Sequence, residues 1–153
     1  MTQDPLERLT ELGLRLPAVS APLAAYVPAV RSGDHVYVSG QLPFVDGKLM
    51  ESGKVGAEVS VERAKELAAQ CVLGAMAAVH DLVGLGSVVR VVKLVGFVAS
   101  APGFTGQPAV VNGASEVMRA VFGVAGEHAR SAVGVAELPL GAPVEVEAIF
   151  EVA

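Results

Sequence analysis

Apolar positions recur along this chain with two different periods, and the changes of period mark out its elements. Near the N-terminus Leu6, Leu9 and Leu12 fall on one side of a predicted short helix. Asp4 stands at the capping position, Pro5 at the first helical position and Glu7 where a capping box would close, and Gly13 stops the helix. A lone apolar stripe of that kind has to pack on the main body. Pro17, Pro22 and Pro28 then punctuate an extended stretch. Residues 27–30 and 35–41 read as strands joined by Ser32-Gly33-Asp34. Asp46-Gly47, between Phe44-Val45 and Lys48-Leu49, is a preferred pair for a tight hairpin.

The 3.6-residue period is clearest over residues 61–83, where Ala64, Leu67, Ala68, Cys71, Val72, Ala75, Val79 and Leu82 share a face. Ser60 is placed to cap that helix, and Gly84 and Gly86 to end it. Residues 88–100 are β-branched and nearly all apolar, interrupted by Arg90 and Lys93, which predicts a long central strand. A loop is expected over 102–108. A second helix is expected over 114–122, with Val117, Ala120 and Val121 inward and Gly123 at its end, and then a strand over 131–137. Residues 144–152 alternate: Val144, Val146, Ala148, Phe150 and Val152 on one face, Glu145, Glu147, Ile149 and Glu151 on the other. The resulting order, β-β-α-β-α-β-β, predicts an α+β two-layer sandwich with two helices on one mixed sheet. The other face of such a sheet lies open and calls for a partner. One domain is expected over 1–153, with 1–16 as a helical extension.

Composition narrows the class. With 52% hydrophobic and 18% charged residues in 153, the chain is no disordered segment. The longest uncharged stretch, 94–115, is broken by Gly96, Pro102, Gly103, Gly106 and Pro108, so no bilayer-spanning helix fits there and no membrane partner is expected. A net charge of −5 and eleven scattered basic residues argue against nucleic acid as a partner. One cysteine excludes an intrachain disulfide framework, and the first residues lack a basic, then apolar, leader; a cytoplasmic location is the expectation.

Few patterns carry chemistry. His35, His80 and His128 have no metal-ligand spacing and read as surface or capping histidines; no metal is expected. Gly84-Leu85-Gly86 lacks the third glycine of a dinucleotide fingerprint. Cys71 lies on an apolar helix face and reads as an inert core thiol, and Met76 and Met118 as packing. Arg130, at the junction of a loop and a strand, either clamps a carboxylate bidentately or pairs with a surface glutamate. Glu145 and Glu147 form the one paired-carboxylate pattern on a regular element. They are a solvated stripe if that face is open, or supply a desolvated acid/base beside an arginine if a neighbouring subunit covers it.

Two longer motifs bring these residues together. Tyr26-Val27-Pro28-Ala29-Val30 with Val38-Ser39-Gly40-Gln41-Leu42-Pro43 resembles the N-terminal signature of the RidA (YjgF-like) family of imine/enamine deaminases. Ala129-Arg130-Ser131-Ala132-Val133, Glu137-Leu138-Pro139 and Val144-Glu145-Val146-Glu147-Ala148 resemble its C-terminal signature, and Asn112, ahead of the second helix, its loop asparagine. The likeness runs from about residue 21 to the C-terminus. It implies a chorismate-mutase-like fold of the bacillus type, a homotrimer, and sites in the clefts between subunits. It further implies hydrolysis of reactive 2-imino or 2-enamino acids to 2-oxo acids and ammonia, without metal or organic cofactor. By position, Arg130 would hold the substrate carboxylate, Tyr26, Ser39, Gly40 and Asn112 would line the pocket, and Glu145 would orient the attacking water. The backbone of Ala132 would hydrogen-bond the substrate. Ala132 stands where members often carry Cys, residues 102–113 are longer than in the smallest members, and the N-terminal helix is an addition, so the resemblance is to a longer, divergent branch. Alternatives are a non-catalytic trimeric module binding a carboxylate metabolite in the same clefts, and RNA cleavage, which the acidic charge disfavours.

Overall fold

The computed structural model describes residues 3–19 and 24–153; Pro22 and the residue 21 start of the family likeness lie outside the described residues. The elements are α1 (Pro5–Glu11), β1 (Ala29–Ser32), β2 (His35–Gln41), β3 (Phe44–Val45), β4 (Lys48–Leu49), α2 (Val61–Val83), β5 (Val88–Ala99), α3 (Gln107–Phe122), β6 (Ala129–Val135) and β7 (Val144–Val152). The main sheet has strand order β1-β2-β7-β5-β6, and β3 with β4 forms a separate hairpin. Neighbours run antiparallel except β5 and β6, which are parallel because α3 carries the chain from the end of one to the start of the other. The α+β two-layer sandwich expected from the sequence is the fold observed.

The helices share one face of the sheet. α2 has Ser60 Oγ accepting from the Arg63 N–H at its start and Gly84 with φ of 83° at its end. It is long and apolar enough on its own for a membrane span. Its stripe is instead spent on the core: Ala64, Leu67, Ala68, Cys71, Val72, Ala75 and Val79 are fully buried. Met76 and Met118 are buried with them, as read. β7 alternates between buried and half-buried along its whole length, which puts its valines and Phe150 under the helices and its glutamates on the opposite face.

Four local expectations shift. α3 begins seven residues before the predicted 114, because Pro108 sits in its first turn, where a missing N–H costs nothing. The Gln107 amide also anchors that turn by donating to the Phe104 carbonyl at 2.9 Å. Gly113, just ahead of the expected start, lies inside α3 where a Cβ would collide with the Lys65 carbonyl of α2. β1 and β6 are each displaced by two residues from the predicted 27–30 and 131–137. For β1 the hairpin turn at Gly33 sets the register Ser32 to His35; for β6 the parallel ladder begins at Lys93 opposite Ala129. In α1, Asp4 caps the Leu6 N–H at 3.2 Å, but the buried residues are Pro5 and Leu9, and Leu6 is exposed. The Arg8 Nε–H donates to the Ala120 carbonyl at 2.9 Å and ties α1 to α3.

Candidate functional site

Register decides where each candidate side chain goes. Arg130, second residue of β6, lies opposite Leu94 of β5, and Leu94 is fully buried under the helices. Arg130 therefore leaves the sheet on the helix side and meets α3. Its Nη1 donates to Asn112 Oδ1 at 2.7 Å and to Ser115 Oγ at 3.2 Å, and Nη2 donates to the Pro108 carbonyl at 3.5 Å. Asn112 and Ser115 are three residues apart and share a helix face. Asn112 belongs to α3 itself rather than to a loop ahead of it. Both Nη1 hydrogens are thus committed, and Nε makes no hydrogen bond among the described residues, which leaves the Nε–Nη2 edge to receive a planar anion. Among the described residues no carboxylate pairs with Arg130, so it is not the surface ion pair that the sequence also allowed.

Behind Ser115 stands His128. Its Nε2 is 2.9 Å from Ser115 Oγ and its Nδ1 is 2.7 Å from the Gly126 carbonyl oxygen. A carbonyl only accepts, so Nδ1 carries the hydrogen and Nε2 accepts from the Ser115 hydroxyl. Burial pushes the ring below the ordinary histidine pKa; the Gly126 carbonyl opposes this and the Arg130 charge adds to it. A shallow pocket of about 280 Å³, lined by Ser115, Arg119, Gly126, Glu127, His128 and Arg130, opens here.

The other candidates gather on the opposite face. β2 carries a bulge between Val38 and Gln41, so Ser39 and Gly40 together oppose Glu147 of β7. The Ser39 N–H donates to the Pro28 carbonyl at 2.9 Å and its hydroxyl to the Val27 carbonyl at 2.7 Å. That pins the strand's approach beside Gly40 and leaves Tyr26, half exposed, just before it. Gly40 is where the fold needs no side chain: a Cβ there would lie 2.8 Å from the Glu145 carboxyl carbon. Glu145, opposite Phe97, is half-buried, and burial first and Glu147 second raise its carboxyl above the ordinary value. Ala132 lies opposite Gly96 and packs against the core from β6, the outermost strand.

Within one chain, then, the candidate residues gather into two candidate half-sites on opposite faces of the sheet: Arg130 with Asn112, and Glu145 with Gly40 and Ser39. The cation expected beside Glu145 is not the chain's own Arg130. Ser115 was not singled out from the sequence, and His128, read there as a surface or capping histidine, is instead half-buried between Ser115 and the Gly126 carbonyl. Ser115 follows Asn112 by three and His128 precedes Arg130 by two, but that signal needs the earlier start of α3. Elsewhere the readings hold: Cys71 is buried with its thiol pushed well up by burial, and His80 Nδ1 accepts the Leu85 N–H at 3.1 Å as a helix-end cap. Among the described residues no three potential metal ligands gather at one point.

Comparisons with known proteins place the chain in a family. A profile of the family described as Endoribonuclease L-PSP matches residues 18–152. Protein TCP17 of Trypanosoma cruzi is 47% identical over 145 residues, covering 94% of this chain and 91% of its own. The crystal structure of Atu1372 from Agrobacterium tumefaciens, a protein of unknown function, is 45% identical and superposes with a TM-score of 0.91, covering 97% of this chain and 92% of that one. The YjgF gene product of E. coli is 27% identical with a TM-score of 0.63, over 89% of this chain and 96% of that one. The match over most of its length, the signature residues around Gly40 and Arg130, and the shared sandwich show that this chain belongs to the Endoribonuclease L-PSP family and its YjgF/RidA-like group.

Proposed function

We propose that this protein hydrolyses small 2-imino or 2-enamino acids to 2-oxo acids and ammonia, in clefts between copies of a cytoplasmic homotrimer. The observation that carries this reading is the Arg130 guanidinium, held by three neutral acceptors with an uncommitted edge. A planar carboxylate fits that edge, and a guanidinium satisfied by uncharged groups keeps its full charge for a ligand. The substrate's C2 is electrophilic once its nitrogen is protonated, so catalysis needs orientation, a water and a route for one proton. Glu145 of a neighbouring copy accepts a proton as water adds to C2. Glu145 returns that proton to the nitrogen, the carbon–nitrogen bond breaks with nitrogen leaving as ammonia, and the remaining hydroxyl loses its proton to the carboxylate to give the 2-oxo acid. A 2-enamino acid first gains a proton at its β carbon, for which the raised Glu145 carboxyl is suited. Tyr26, Ser39, Gly40 and Asn112 line the cleft, and the Ala132 backbone lends a hydrogen bond.

The opposite placement of the half-sites supports a site shared between copies, and so does the open sheet face, where Val30, Tyr37 and Val133 are each 43–51% exposed. The test is 2-oxo-acid release from 2-imino acids generated in situ by an amino-acid oxidase, using Arg130→Ala, Glu145→Gln and their mixture after joint refolding. Each variant alone should be inactive, and the mixture should recover activity at about a quarter of its sites by random assortment in a shared-site oligomer. No acceleration by wild type, with 2-oxo-acid binding retained, would replace this reading with a binding module in the same clefts.

A further inference from the structure

We propose that Ser115 and His128 are positioning residues that fix the angle at which Arg130 presents its free edge to a substrate carboxylate; this rests on the role given to Arg130 above. A long arginine side chain has many rotamers, and its ability to grip a planar anion depends on removing that freedom before the anion arrives. Asn112 alone would fix the position of Nη1. A second contact on Nη1, from Ser115 Oγ at 3.2 Å, fixes the plane of the group as well.

Ser115 serves this purpose only if its oxygen lone pairs face Arg130, and that is decided one step further back. The hydroxyl has a single hydrogen, and His128 Nε2 at 2.9 Å takes it. Nε2 is available as an acceptor because the Nδ1 hydrogen is committed to the Gly126 carbonyl at 2.7 Å. The relay therefore runs in one direction, from Arg130 to Ser115 to His128 to Gly126, with each donor matched to one acceptor. Its far end is rigid. A Cβ at Gly126 would collide with the Met118 carbonyl, so the turn that supplies the acceptor packs directly on the backbone of α3, the helix that carries Ser115. Ser115 is carried by α3 and the Gly126 turn packs against that same helix, so the two acceptors are held to one element while Arg130 comes to them from β6.

The experiment measures KM and kcat for 2-imino acids, the Kd for 2-oxobutanoate by calorimetry, and the melting temperature of each variant. Ser115→Ala and His128→Leu should each raise KM and Kd about tenfold, the effect of losing a hydrogen bond to a charged group, with kcat nearly unchanged. Ser115→Thr keeps the hydroxyl and His128→Gln keeps a non-titrating acceptor near the Nε2 position, so both should recover most of the lost affinity. Folded Ser115→Ala and His128→Leu proteins with wild-type KM and Kd would overturn the proposal. So would a loss confined to kcat, which would make the pair catalytic, or failure of both conservative variants to restore affinity. Wild type that binds no 2-oxo acid would overturn the role of Arg130 and this inference with it. Arg130→Ala losing binding while Ser115→Ala keeps it would overturn this inference alone.

Discussion

The two half-sites are built in opposite ways. Around Arg130 each partner is supplied by the chain: Asn112, Ser115 and the Pro108 carbonyl hold the guanidinium, and His128 holds Ser115. The guanidinium is held in place by the chain's own groups, with its Nε–Nη2 edge uncommitted among the described residues. Around Glu145 the chain supplies little. The carboxylate is half-buried against Gly40, its near neighbour Glu147 repels it, and the sheet face around it is open. One half is preorganised and cationic; the other is anionic, destabilised in its charged form and unfinished.

The largest expected effect falls on the finished half. Arg130→Ala should reduce kcat/KM by about a thousandfold, because it removes the bidentate partner of a partly desolvated carboxylate, while the melting temperature stays close to wild type. Imine hydrolysis at the wild-type rate in that variant would remove Arg130 from the site.

Two added methyl groups probe how each half is supported. Gly113→Ala drives a Cβ into the Lys65 backbone where α2 crosses α3, and neither helix can yield; denaturant titration should show a loss of about 3 kcal/mol. Gly40→Ala meets only the flexible end of Glu145, at 2.8 Å from its carboxyl carbon. If Glu145 has the role proposed for it, this should lower kcat about tenfold by displacing its carboxyl, while shifting the melting temperature by no more than about 2 °C. The reverse outcome, a destabilised Gly40→Ala and an unaffected Gly113→Ala, would contradict the account of both halves.

The smallest effects are titrations of opposite sign, read from stability between about pH 4 and pH 8. His128 is held below its ordinary 6.5, so the unfolded chain binds its proton more readily. The stability it confers is complete above that value and is lost as pH falls through the lower folded pKa; His128→Gln should flatten this acid-side loss. Glu145 is raised above 4.5, so the folded chain keeps its proton longer. Its contribution is complete below 4.5 and is lost as pH rises through the folded pKa. Glu145→Gln should therefore be slightly more stable than wild type at neutral pH, by a few tenths of a kcal/mol (~0.3) after solvent screening. At pH 4 the two proteins should be alike.

Much of this protein was determined by the sequence itself. The extents of α2, β2 and β7, the burial of Cys71, and the alternation that sends Glu145 one way and Val146 the other follow from residue period, a property of neighbours along the chain. The signatures around Gly40 and Arg130 identified the family before any fold was known. The start of α3 was hidden because Pro108 closes what reads locally as a loop and Gly113, just before the expected start, is a poor helix former. One is tolerated by the first turn of a helix, and the other is required by the Lys65 carbonyl of a different helix. Without that first turn Asn112 stood in a loop, and Ser115 had no reason to meet His128. Only the tertiary structure decided that Arg130 and Glu145 part company. Arg130 pairs with Leu94 and Glu145 with Phe97, an odd step apart on β5, and side chains one step apart on a strand leave by opposite faces. Register between strands distant in sequence is set by packing of the whole sheet, so no local pattern records it.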